Sequence, residues 1–140
     1  MKNYKIIISY DGTNFYGFQK QEKTPTVQQA IETSLDILLN SYELTYSGRT
    51  DSGVHAKQQV LSVVTDDILG DSFKESLNAL VGSHIYIKKI SRANKNFHPR
   101  YDAKQRTYKY FINTPSNYEP YNLGYSYFIK NELRISDLNL

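Results

Sequence analysis

The chain has 140 residues and a mass of 16.2 kDa, which suits one domain able to bury about two-thirds of its unfolded surface. With 39% apolar and 22% charged residues and no long apolar run, it lacks the pattern of a membrane-spanning helix, and with no Cys it can build no disulfide, thiolate nucleophile, iron–sulfur cluster or Cys-based zinc site. Seventeen Lys and Arg against fourteen Asp and Glu leave a net charge of +3, too mild to name a partner until its distribution is considered.

The first apolar run, Tyr4 to Tyr10, is β-branched and aromatic without helical spacing, and Asp11-Gly12 closes it as a turn, so it predicts a strand. Met1-Lys2-Asn3-Tyr4 leads straight into that strand without a small-residue cleavage site, which predicts an intracellular, cytoplasmic protein. Beyond Pro25, Thr26 and Gln29 form a capping-box pattern, and Val27, Ala30, Ile31, Leu35 and Leu38 follow at helical spacing, predicting a helix that ends near Asn40. Leu44 to Ser47 reads as a short strand, Gly48 to Ala56 as a turn-rich loop, and Gln58 to Thr65 as a β-branched strand. Ser72 with Glu75 repeats the capping-box pattern, with Phe73, Leu77, Leu80 and Val81 on one face and Gly82 as the stop of a second helix. Ile85 to Ile90 predicts a fourth strand. Thr107 to Asn113, alternating around Tyr108, Tyr110 and Ile112, predicts a fifth.

The order β-α-β-β-α-β with one additional strand predicts an α+β, ferredoxin-like fold, with helices on one face of an antiparallel sheet. Thr114-Pro115-Ser116-Asn117 is a turn cluster, so residues 1–113 are expected to form the domain and 114–140 a tail. In that tail Ser136 or Asp137 reads as the N-cap of a helix whose body is missing, which predicts a fragment or truncated product.

Charge is concentrated in one segment. From Lys88 to Lys109 eight basic residues face the single acid Asp102, and Phe97, His98, Tyr101, Tyr108, Tyr110 and Phe111 lie among or beside them. Cations mixed with flat rings suit a polyanion whose bases can be stacked, and equally a solvated basic loop beside core aromatics.

The densest candidate for chemistry is Gly48-Arg49-Thr50-Asp51-Ser52-Gly53-Val54-His55-Ala56, where an acid sits between a cation, hydroxyls and two glycines. Glycines permit a tight path, and Arg49 can favour an ionised Asp51 or contact a phosphate; a plain Asx-turn, with Asp51 bonding its own backbone, is the competing reading. Asp51 and His55 could share a cation only with further acids or His nearby, which the sequence lacks. Ser52 has no strand-to-helix elbow around it, and no P-loop is present. His84 and His98 read as surface or packing residues.

Three separated blocks resemble the tRNA pseudouridine synthases of the TruA family, and specifically their N-terminal half. Tyr10-Asp11-Gly12-Thr13-Asn14-Phe15-Tyr16-Gly17-Phe18-Gln19 is similar to the family's opening motif and Gly48 to Ala56 to its catalytic loop. Phe97-His98-Pro99-Arg100 through Arg106-Thr107-Tyr108-Lys109-Tyr110 is similar to its stacking-tyrosine region. The resemblance spans almost all of residues 4–113, and Ser52, Pro99 and Asp102 depart from the family's commoner choices without replacing a residue of assigned role.

The resemblance implies a cofactor-free isomerisation of uridine to pseudouridine in the anticodon stem-loop of tRNA, carried out by a homodimer. Asp51 would be the catalytic carboxylate, as nucleophile or as the base that starts an elimination. Tyr108 would stack on the target uracil, and Arg49 would help hold the base out of its stack. Family members are about twice as long, and their second half supplies an arginine that pairs with the catalytic Asp together with apolar pocket residues; these 140 residues alone are therefore expected to bind RNA weakly and turn over poorly or not at all. The alternative is a non-catalytic RNA-binding module of the RRM type, which shares the element order, but Gln58 to Thr65 carries no aromatic where such a module needs one. A ferredoxin-like interaction domain, with Asp51 a mere turn residue, is a further reading.

Overall fold

A computed structural model describes residues 1–139, which divide into two compact units, Met1–Lys104 and the residues from Gln105 on. In the first unit the elements run β1 (Lys2–Tyr10), α1 (Val27–Leu38), β2 (Glu43–Tyr46), β3 (Ala56–Thr65), α2 (Phe73–Leu80) and β4 (Ile85–Arg92). The sheet order is β2-β3-β1-β4 with every neighbouring pair antiparallel, the split β-α-β arrangement expected from the sequence.

Alternation dictates which face is buried. Tyr4, Ile6, Ile8 and Tyr10 of β1 point to one side, beside Leu61 and Val63 of β3 and Ile85 and Ile87 of β4. Val27, Ile31 and Leu35, one turn apart on α1, and Leu77 of α2 close over them, all fully buried. Each such aliphatic side chain contributes about 1.5–3 kcal/mol on burial. Thr26 caps α1 as predicted, its hydroxyl accepting the Gln29 N–H at 3.3 Å.

Four expectations are corrected. Ser72 makes no side-chain cap on α2, because its backbone is already helical rather than extended as a capping residue's is. Leu80 is 41% exposed; the core face is held by Leu77 and by Val81 just beyond the helix. The strand predicted over Thr107–Asn113 shrinks to β5 (Ile112–Asn113), which pairs in parallel with β6 (Tyr127–Phe128) in a separate two-stranded sheet of the second unit. In the tail the helix is α3 (Ile135–Leu138), with Arg134 at the N-cap position and no side-chain cap, so Ser136 and Asp137 lie within it. The turn cluster at Thr114 holds: Thr114 and Asn117 bond reciprocally around a 3-10 turn, Pro115–Asn117.

Two irregularities shape the end of β1. Its pairing with β3 slips by one residue between Ile8 and Tyr10, and its pairing with β4 slips between Ile7 and Ile8, leaving Lys88 as the extra residue. Bulges bend and twist a strand, and beyond these the β1 terminus meets the loop that joins β2 to β3 through Tyr10. On the sheet face away from the helices, Asn3 is buried, accepting from the Ser62 hydroxyl at 2.6 Å and donating to the Phe97 carbonyl at 2.8 Å. Lys5 lies 5.6 Å from the Phe97 ring, so the segment after β4 folds back across this face.

Candidate active site

The loop from Ser47 to His55 leaves β2 and enters β3, and four separate sets of contacts hold it. At its start, buried Gln59 of β3 bonds both the Ser47 hydroxyl and the Gly48 carbonyl. Next, Thr50 is gripped twice: its hydroxyl lies 2.7 Å from the Tyr10 hydroxyl, and its carbonyl accepts the Phe18 N–H at 3.0 Å. The loop then turns at Asp51–Val54, with the Val54 N–H on the Asp51 carbonyl at 3.1 Å and Gly53 at φ +77°, the positive angle a type II turn requires at that position. At its exit, His55 Nδ1 lies 2.9 Å from the Gly12 N–H and 3.1 Å from the Asp11 carboxylate.

The partners come from the segment between β1 and α1, and its composition explains the close fit. A methyl group on Gly12 would lie 2.1 Å from the Val54 carbonyl oxygen, so only glycine lets the two backbones meet. Gly17 takes φ +85°, and a side chain there would also press on the Thr50 carbonyl at 2.9 Å. Between them the chain drives Phe18 into the core, fully buried, with its ring 6.0 Å from that of Tyr10 and 4.6 Å from that of Tyr46. Tyr10 is itself 5% exposed, and burial pushes its phenol above the usual range, only partly offset by the bonds to Thr50 and Gln59.

Within this anchored loop Asp51 is exposed, and its carboxylate makes no hydrogen bond or ion pair among the described residues. The Asx-turn reading therefore fails, since nothing local consumes the side chain. Arg49 is exposed as well and donates to the Gln19 side chain at 2.9 Å; Gln19 is its hydrogen-bond partner, although Asp51 is only two residues away. His55, weighed with Asp51 as a cation ligand and set aside, is engaged by Asp11 and Gly12 instead. Among the described residues no three His, Asp or Glu side chains gather as metal ligands.

Tyr108 lies in the second unit, 69% exposed on an extended stretch outside any strand, with Tyr110 at 87% beside it. In the first unit Tyr101 is exposed with its ring 4.3 Å from that of His98, while Pro99 is buried and the His98 N–H donates to Asp102 at 2.9 Å. Elsewhere, a groove of about 590 Å³ between the end of α1 and β2 is lined by Glu32, Asp36, Tyr42 and Glu43 among others. Glu32, Asp36 and Glu43 make that groove acidic, so it repels rather than attracts phosphate, while burial and the bond to Asp36 push the Tyr42 phenol up and keep it neutral.

Sequence reasoning singled out the loop but not what fixes it. Tyr10, Asp11 and Phe18 stand in the opening motif and Gln59 in a predicted strand, but nothing in the sequence pattern says that they meet this loop, which the fold alone brings to them.

These features define a ferredoxin-like α+β domain that displays a bare carboxylate on a rigidly held loop between two strands. Residues 6–102 match the profile of a family described as tRNA pseudouridine synthase, and the chain belongs to that family. It is 46% identical over 114 residues to a protein from Pseudothermotoga lettingae named tRNA pseudouridine synthase A, covering 80% of this chain and 46% of that one. Proteins of the same name from Borrelia turicatae and Clostridium botulinum are each 38% identical, over 141 and 142 residues, covering 99% of this chain and 58% and 57% of theirs. The chain thus spans about half the length of the curated relatives it matches.

Proposed function

We propose that this chain carries the reacting carboxylate of a tRNA pseudouridine synthase that isomerises uridine in the anticodon stem-loop. The reaction breaks the N1–C1′ bond, turns the freed uracil and joins C1′ to C5. The proton lost from C5 is balanced by one gained at N1, so atoms and electrons balance within the substrate. Asp51 acts ionised, either bonding to the sugar or base as a nucleophile or removing a proton to start elimination. Tyr108 stacks on the uracil, an interaction worth about 1–3 kcal/mol per base. Arg49 helps hold the extruded nucleotide, offsetting the few kcal/mol of unstacking. The basic run from Lys88 to Lys109 tracks RNA phosphates.

The observation that carries this reading is the exposed, unpaired Asp51 carboxylate on a loop anchored on both sides. Residues 1–113 serve as the catalytic half, 114–140 lead toward the remainder, and the complete enzyme works in the cytoplasm as a homodimer. No helix among the described residues is long and apolar enough to cross a membrane. Asp51 is in no ion pair among the described residues, and its electrostatic partner is the arginine that the resemblance places in the second half of longer family members.

The test uses the complete synthase and an anticodon stem-loop RNA tritiated at uridine C5, because isomerisation releases that hydrogen. Asp51→Asn should lower tritium release by at least about a thousandfold while leaving RNA affinity within about threefold. Unchanged release would remove Asp51 from the chemistry.

A further inference from the structure

We infer that Tyr10 is a positioning residue for Asp51, acting through Thr50. The inference rests on the reading of Asp51 as the reacting group and adds what sets that group's direction. Asp51 makes no bond of its own among the described residues, so its carboxylate is aimed only by the backbone that carries it. That backbone is fixed one residue earlier. Thr50 is held through its hydroxyl by Tyr10 at 2.7 Å and through its carbonyl by the Phe18 N–H at 3.0 Å. Two grips on one residue fix both its side-chain rotamer and its peptide plane, and the next Cα inherits the result.

Tyr10 is suited to the task by its place. It ends β1, the strand bonded on both sides within the sheet, and its ring is packed against Phe18 in the core. A hydroxyl on so constrained a ring is a fixed point, whereas water or an exposed side chain in its place would let Thr50 move. Burial also keeps the phenol protonated over the working range, so the bond persists. Displacement of a reacting group by about 1 Å can cost about a hundredfold in rate, so a contact that never touches substrate can still govern turnover.

The test is a double-mutant cycle in the complete synthase, reading kcat and KM on the tritiated stem-loop and amide hydrogen exchange over residues 50–54. Tyr10→Phe removes only the hydroxyl, and Thr50→Val removes its partner with the shape kept. Each should lower kcat by about 10- to 100-fold with KM within about twofold, and each should speed exchange in the loop. The double variant should be no worse than Tyr10→Phe alone, as expected when Thr50 acts through the Tyr10 hydroxyl. Thr50→Ser, which keeps the hydroxyl, should recover most of what Thr50→Val loses. Multiplied losses in the double variant, or loop exchange unchanged in Tyr10→Phe, overturn the inference. Normal turnover in Tyr10→Phe beside an inactive Asp51→Asn overturns it alone, whereas normal turnover in Asp51→Asn sinks the assignment of Asp51 and this inference with it.

Discussion

At position 12 a methyl group would have to occupy space 2.1 Å from the Val54 carbonyl oxygen, and the nearest atoms are backbone, which cannot swing aside. Gly12→Ala should therefore separate the β1 terminus from the Asp51 loop, at a cost toward the upper end of the roughly 1–3 kcal/mol typical of overpacking. Gly17→Ala meets a milder contact at 2.9 Å and adds a left-handed backbone penalty of about 1–2 kcal/mol. Urea melts should rank Gly12→Ala as the more damaging; the reverse order would mean that the loop gives way more easily than its bonds indicate. Tyr10 offers a pH-dependent test. Its pKa in the folded chain lies above the ordinary value of 10.0, chiefly through burial, so above that value the folded state keeps a proton the unfolded state has lost. The stabilisation from this difference is whole below pH 10.0 and is lost as pH rises through the folded pKa. Stability should fall less steeply above that pH in Tyr10→Phe than in the parent, and comparing the two cancels the other tyrosines. Parallel slopes would mean the phenol is as easily ionised folded as unfolded.

Helix ends show how a shared sequence pattern can have different consequences. Thr26 and Ser72 both precede amphipathic runs, yet only Thr26 has extended backbone and a hydroxyl on a helix amide. Thr26→Ala should cost about 1 kcal/mol of stability and Ser72→Ala only a few tenths, measured as shifts in urea midpoint. Equal shifts would contradict the geometry. The core faces of β1, β3 and α1 were legible because alternation and i, i+4 spacing report a face that must be buried, and burial is what the sheet and helix supply. The segment from Thr107 to Ile112 alternates equally well but finds a backbone partner only at its end, and periodicity says nothing about partners. The site was legible to the same extent. Glycines and an acid in one short loop mark Asp51, whereas its supports Tyr10 and Asp11 are distant in sequence and meet it only after β1 and β3 have paired.

Taken as a whole, the molecule is uneven in how firmly its parts are bound. The first unit contains the buried core, while the second has two-residue strands and a short helix, with Tyr110, Tyr121, Tyr127 and Ile135 all more than 70% exposed. Residues 103–111 lie in no regular element. Brief trypsin treatment should therefore cut first at Lys104, Arg106 or Lys109 and leave the first unit intact. Early cleavage within 1–103 would show that the core is looser than its burial indicates. On RNA, this chain alone should bind weakly and turn over poorly beside the complete synthase, since Asp51 is in no ion pair among the described residues; equal turnover would refute that. The central place of β1 has a consequence for biosynthesis. It leaves the ribosome before either flanking strand, its two hydrogen-bonding edges bare, and must wait for Ala56–Thr65 and then Ile85–Arg92 to emerge. Stalled translation before the last of these would expose an isoleucine-rich ribbon prone to self-association, so nascent chains of this protein are natural clients for a holdase.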